Sequence, residues 1–106
     1  MMAVWAECPV AAAHRFKDYP MHGHTYLVRV SVVEPESGFL DAEALRDELM
    51  EVRKGVDHRC LNDVLPSPSM EELARWFGAR LRERGRDVVE VAVSRPLEGL
   101  GCVYRP

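Results

Sequence analysis

The chain has little cysteine, no long apolar run and no surplus of positive charge. Its cysteines, Cys8, Cys60 and Cys102, number three and stand in no metal-ligand spacing, which argues against a disulfide framework and against a cysteine-based metal site. No apolar stretch approaches the roughly 20 residues that a membrane-crossing helix needs, so a soluble protein without a membrane partner is expected. The N-terminus lacks the charged and apolar regions of a secretory leader, and a reduced, cytoplasmic location follows as the expectation. Against 14 Lys and Arg stand 17 Asp and Glu, a net charge of −3 with no basic stripe. Nucleic acid is therefore a poor partner, and a small molecule or another protein a better one.

What the chain does hold is enough sequence for one compact domain, 1–106, with no linker or repeat inside it. The segment MMAVWAECPVAAAHRF sets Val4, Trp5, Cys8 and Val10 in loose alternation, and HTYLVRVSVVEP is rich in Val, Tyr and Thr. Both read as strands. The short KDYPM between them, with Asp18, Tyr19 and Pro20, is turn-like, so an antiparallel hairpin is the economical pairing. From Asp41, a plausible N-cap, Leu45, Leu49, Val52 and Val56 recur at helical spacing, and Gly55 suits the helix end. The segment DHRCLNDVLPSP reads as irregular, with Pro66 and Pro68 halting any helix. Ser69 opens S-M-E-E, a capping box with Glu72, before an apolar stripe of Leu73, Trp76, Phe77 and Leu81 that ends near Gly85. Trp76 and Phe77 thus read as packing residues. Val88, Val89, Val91 and Val93, a turn in PLEGLG and a short CVYR return to strand character. The order ββααββ favours an α+β fold, a four-stranded antiparallel sheet with two helices on one face. Such a sheet leaves two edges, which self-association commonly covers.

Three histidines carry the first chemical signal. On a strand, residues i and i+2 share a face, so His22 and His24 stand side by side in MHGHTYLVRV with Gly23 between them. The hairpin returns His14 to their neighbourhood. Three neutral imidazoles with a fourth position open is the catalytic arrangement of zinc, and an open site polarises a bound oxygen. An HxH pair in a half-buried strand is otherwise two polar side chains, and spacing alone does not separate the two readings. The second signal is Asp57 followed by His58, where a carboxylate fixes an imidazole's tautomer for acid/base work. A loop that caps its own backbone is the plainer reading of that dipeptide. The basic run Arg80, Arg82, Arg84 and Arg86, interspersed with Glu83 and Asp87, reads as a solvated helix face, and Cys102 as a small buried strand residue.

Taken in order, AAHRF, HGHTY, VDHRCLN, PSMEELARW, a valine-rich strand and GCVYR resemble the 6-pyruvoyl-tetrahydropterin synthase family, most closely its 6-carboxy-tetrahydropterin synthase branch in queuosine biosynthesis. The resemblance spans nearly the whole chain. It implies the tunnelling fold, in which subunits join edge to edge into trimeric barrels that stack as a hexamer, so a homo-oligomer (trimer or dimer of trimers) is expected. It also implies a zinc cofactor held by His14, His22 and His24, and a catalytic relay at Asp57 and His58. A pterin triphosphate, 7,8-dihydroneopterin triphosphate, is the implied substrate, with Ser69 and Glu71 of PSME near the pterin.

Two positions depart from that pattern. The family's catalytic cysteine, four residues before HGH, is replaced by Asp18. An aspartate, with a reference pKa near 3.9 against about 8.5 for cysteine, is ionised at neutral pH but has little proton affinity. Asp18 is then a weakened base or a fourth, site-closing ligand. The Glu that grips the pterin edge at the end of the third strand is replaced by Arg95 or Pro96, with Glu98 two or three residues beyond as its substitute if the turn is reshaped. A related branch carries a carboxylate in place of the cysteine and releases a 6-hydroxymethyl pterin for folate synthesis. That branch, and a non-catalytic zinc-binding relative, are the competing expectations.

Overall fold

The computed structural model describes residues 1–15 and 17–106; Phe16, the last residue of AAHRF, lies outside the described residues. Strands β1 (Ala3–His14), β2 (His22–Val33), β3 (Val88–Arg95) and β4 (Leu100–Tyr104) form one antiparallel sheet in the order β1-β2-β3-β4. Helices α1 (Ala42–Val52), α2 (Leu61–Val64) and α3 (Met70–Glu83) lie between β2 and β3 in sequence. The hairpin β1–β2 pairs all the way from Ala3↔Val33 to His14↔His22.

One face of the sheet is the core face. Ala6, Cys8, Val10, Ala12 and His14 on β1 and Tyr26, Val28, Val30 and Val32 on β2 are buried. They share the even-numbered side that strand alternation dictates. Leu45, Leu49 and Val52 of α1 and Leu73, Phe77 and Leu81 of α3 close over that face. The uncovered face carries Trp5, with the Arg29 guanidinium 3.9 Å from its ring centroid, and Glu7, which accepts from Arg29 Nε at 2.8 Å.

The helix ends follow local rules. Asp41 accepts from the Glu43 and Ala44 N–H groups, and Ser69 Oγ accepts from Glu72 N–H at 3.1 Å. The second half of the capping box is not made, because the Glu72 carboxylate takes Arg75 instead, at 2.9 Å. Gly85, past the end of α3, sits at φ +87, where a glycine is favoured.

Three expectations need correction, and β3 holds a bulge that its sequence does not announce. The α1 pattern does not run to Gly55 as α-helix; it tightens into a 3-10 turn over Arg53–Gly55, where the Trp76 ring packs so closely that a Cβ on Gly55 would lie 2.8 Å from it. The segment expected to be irregular contains the single turn α2, closed by Leu65 N–H to Leu61 C=O at 2.9 Å. One turn is too short to display a helical period, and buried Leu61 anchors it. In β3 the valines do not alternate simply. Register shifts between Ser31 and Val32, so that Ser31 faces Glu90 while Val32 faces Val88. The bulge spends Val89 as the extra residue and turns both Val88 and Val91 inward. The basic run is also less solvated than its composition suggests, since Arg86 pairs with Glu48 at 3.2 Å from a largely covered position.

Phe77 is fully buried at the centre of the α3 stripe, edge-on to Trp76 at 5.0 Å. Phe77→Ala is expected to destabilise the fold by about 3–5 kcal/mol. The effect reads as a lower urea midpoint with an unchanged slope; a shift of a few tenths would refute this account of the core.

Candidate metal centre

Register brings the three histidines together. His14, the last residue of β1, lies directly opposite His22, the first of β2, and His24 is the next residue on the same face. The Nε2 atoms of His14 and His22 are 2.9 Å apart and those of His14 and His24 are 3.1 Å apart. Each opposite ring nitrogen meets an oxygen that can only accept. His14 Nδ1 is 3.0 Å from Pro68 C=O, His22 Nδ1 is 2.9 Å from Pro20 C=O, and His24 Nδ1 is 3.4 Å from the Glu98 carboxylate. These partners put the proton on Nδ1 in each ring and leave three bare Nε2 lone pairs facing one another.

Three converging lone pairs repel unless a cation lies among them, and ligating histidines fixed through the other nitrogen are the usual environment of a metal. A tetrahedral ion with metal–nitrogen bonds of 2.0–2.1 Å spaces its ligands by about 3.3 Å, close to the two separations from His14, and all three ligand atoms lie within 4.8 Å of one another. The donor set therefore fits a divalent metal, with room for a fourth ligand. Burial first, then the nearby Arg95 charge, pushes His24 below its ordinary pKa, which keeps that ring in its ligating, neutral form.

Asp57 and His58 are held at the outer edge of β1. His58 N–H donates to Ala11 C=O at 2.6 Å, Ala13 N–H donates to Arg59 C=O at 3.0 Å, and Cys60 bridges to Ala13 in parallel. Asp57 Oδ1 accepts from Ala11 N–H, while its Oδ2 takes His58 Nδ1 at 2.9 Å and lies 3.6 Å from Arg53. His58 adopts φ +58 and leaves 80% of its side chain exposed, whereas the Asp57 side chain is only 14% exposed. Partial burial tends to raise the Asp57 pKa, but the Ala11 N–H, the His58 ring and the Arg53 charge together hold it below the ordinary value.

Cavities surround these groups. One of about 220 Å3 is lined by His14, Tyr19, His22, His24 and Arg95, and one of about 180 Å3 beside it includes Tyr26, Ser69, Glu71 and Arg95. An open trough of about 640 Å3 has a floor of small residues, Ala11, Ala13 and Gly23, and reaches both His24 and His58.

A family model for 6-pyruvoyl tetrahydropterin synthase matches residues 4–106. The chain belongs to that family. Its sheet and helices are the tunnelling fold of these synthases: the Caenorhabditis elegans 6-pyruvoyl tetrahydropterin synthase structure aligns with a TM-score of 0.79 at 21% identity, over 99% of this chain and 95% of the other. The Plasmodium vivax 6-pyruvoyltetrahydropterin synthase, in a form with alanine replacing a catalytic glutamate, aligns at 0.72 and 19% identity, over 99% and 97% of the two chains. Among curated proteins, the dihydroneopterin monophosphate aldolase of Pyrococcus furiosus is 38% identical over 66 residues. That match covers 59% of this chain and 57% of the relative, so the chain spans little more than half the length of that protein. No helix among the described residues is long and apolar enough to cross a membrane.

Within this synthase-family fold, the residues singled out from sequence fall into separate places. His14, His22 and His24 converge. Asp57 and His58 touch one another, and His58 shares the open trough with His24. Asp18 is exposed in the β1–β2 turn and is not among the residues lining the histidine cavity; Tyr19, its neighbour, is. Ser69 is engaged as the α3 cap, and Glu71 lines the smaller cavity beside it. Glu98 is turned toward His24 and Arg95, at 3.4 Å from each. Burial pushes Cys8 up to about 11 and raises Cys102 as well, so neither thiol is a ready nucleophile at neutral pH. Sequence reasoning missed the carbonyls of Pro20 and Pro68, which read only as breakers, and Asn62. The Asn62 amide clamps the Arg15 backbone through both its groups, at 2.7 and 2.9 Å, immediately after His14. Its place in VDHRCLN was the available signal.

Two outcomes follow from this geometry. Glu98→Gln, which removes the anion behind His24, is expected to weaken metal affinity about 10- to 100-fold, measured by competition with a chromophoric chelator; His14→Ala, His22→Ala and His24→Ala should each lose most of the bound metal by elemental analysis, and full retention by all three would sink the assignment. For Asp57, a pKa lower in the folded than in the unfolded chain means stability that is present above the unfolded value of 3.8 and lost as pH falls through the folded one. An acid-unfolding series should therefore show the parent losing stability below about pH 4, while Asp57→Asn, less stable at pH 7, gives a flatter profile over that interval. Parallel profiles would remove the Asp57 interactions from the account.

Proposed function

We propose that the protein is a zinc-dependent lyase that cleaves the side chain of a 7,8-dihydroneopterin phosphate between C1′ and C2′. The products are 6-hydroxymethyl-7,8-dihydropterin and glycolaldehyde phosphate. The observation that carries this reading is the set of three bare Nε2 atoms in a cavity that no cysteine lines. The Pyrococcus furiosus relative is an aldolase of dihydroneopterin monophosphate, and a catalytic carboxylate is known in the Plasmodium vivax enzyme; both support a chemistry that does without a thiol.

His14, His22 and His24 would hold the zinc, which when bound polarises hydroxyl oxygens of the substrate side chain. The cleavage itself requires a base for the C2′ hydroxyl proton. As that proton leaves, the C1′–C2′ electrons pass into the C6=N5 imine of the pterin, and C1′ is then reprotonated. His58 suits both transfers, because Asp57 fixes its Nδ1 proton and leaves Nε2 bare toward solvent. Asp18, the carboxylate at the position of the missing thiol, would share these transfers with His58 from the exposed β1–β2 turn. Glu71 and Ser69 border the ring side, and Glu98 acts on His24 and Arg95. The open edges of β1 and β4 suit assembly into a trimer or a dimer of trimers, in which the trough between His24 and His58 is closed by a second copy.

Incubation with 7,8-dihydroneopterin monophosphate and triphosphate, followed by separation of the pterins, tests the reaction. A 6-hydroxymethyl product is expected. A 6-carboxy product with acetaldehyde would instead support the queuosine-pathway synthase anticipated from the sequence, and intact substrate the non-catalytic relative. Asp18→Ala is expected to lower turnover about 10²- to 10⁴-fold; undiminished turnover would exclude Asp18 as the base and leave His58 alone in that role.

A further inference from the structure

We propose that Arg95 is a specificity-determining residue: its guanidinium takes the phosphate ester of the substrate beside the three histidines and so selects phosphorylated side chains. The inference rests on the reading above and deepens it.

Arg95 is the last residue of β3. Its backbone is fixed by pairing with Leu100 and by Glu98 and Gly99 N–H groups, which both donate to its carbonyl at 3.0 Å. The side chain turns inward and is only 23% exposed. Its Nε is buried and has no hydrogen-bond partner among the described residues. One terminal nitrogen meets Glu98, at 3.4 Å, long for a charge-assisted bond. A buried donor left unmade is costly, and a guanidinium has no acceptor capacity of its own, so only an acceptor supplied by a neighbour or a ligand completes it.

The surroundings decide which acceptor. The cavity that Arg95 shares with the histidines is lined by imidazoles, the Tyr19 side chain and the guanidinium, with no carboxylate among them. A cation on the three Nε2 atoms adds to that positive field. Glu98 is spent on His24 and Arg95 from outside this lining. The adjoining cavity, which Arg95 also borders, does contain a carboxylate, that of Glu71, and therefore suits the N–H edge of a ring. An oxyanion belongs on the histidine side. A phosphate ester, planar-fork compatible and close in the substrate to the hydroxyls, matches a guanidinium better than an ammonium.

Calorimetric binding to the zinc-loaded protein tests this without turnover. The probes are 7,8-dihydroneopterin and its 3′-monophosphate, with the parent, Arg95→Gln and Arg95→Lys. The parent should bind the phosphorylated probe about 10- to 100-fold more tightly. Arg95→Gln should lose that preference, the larger loss falling on the phosphorylated probe, and Arg95→Lys should keep part of it. Equal affinities in the parent, or a preference intact in Arg95→Gln, overturns the proposal. Zinc content is measured in each variant; if both lose metal, competition on the parent decides, since inorganic phosphate must displace the phosphorylated probe and not the other. A protein that prefers the phosphate ester but forms no 6-hydroxymethyl product refutes the reaction and leaves the role of Arg95 standing. Turnover without phosphate preference does the reverse.

Discussion

The pairing register of β1 with β2 is the constraint on which the rest depends. Core residues and histidines lie on the same side of these strands: Ala6, Cys8, Val10 and Ala12 lead to His14, and His24 leads to Tyr26, Val28, Val30 and Val32. A slip by one residue would turn every one of them to the other face. Burying each large apolar side chain contributes roughly 1.5–3 kcal/mol, so the valines of the hairpin hold the register with far more free energy than three imidazoles supply. The site inherits its geometry from packing. Imidazole lone pairs that repel one another in the absence of a cation can persist there because Pro68, Pro20 and Glu98 hold the three rings through Nδ1.

A second layer of fixing comes from the acceptors that stand behind the rings. Two proline carbonyls and one carboxylate choose the tautomer of each ring. The segment after α1 zips along the edge of β1 and presents Asp57 and His58 in a single orientation. Local acceptors, backbone carbonyls for His14 and His22 and carboxylates for His24 and His58, thus decide which nitrogens are bare, and bare nitrogens decide what can be bound or deprotonated.

Much of this was legible in the sequence because its causes are local. The hairpin followed from two apolar alternations around KDYPM, the α3 start from Ser69, and the convergence of His14 with His22 and His24 from the period of two. The β3 bulge was not legible, because four valines offer no contrast by which Val88 can be told from Val89; cross-strand pairing with Ser31 and Val32 decides it. The one-turn α2 is shorter than any period it might have shown. The placement of Glu98 was open because it depends on how a turn folds over a neighbouring strand. The family resemblance, by contrast, rested on motif order over the whole chain, and the family model covers residues 4–106.

The strip of backbone that steadies Asp57 and His58 also acts as a ruler. On β1 it consumes the outward peptide groups of Ala11 and Ala13, while Pro9 has no N–H to offer and gives its carbonyl to Arg53 at 2.8 Å. Alternation along the strand leaves only Ala3, Trp5 and Glu7 with outward groups to share. A foreign strand that joins this border must therefore stop short of the histidine end, and β4, five residues long, is about the right size to do so.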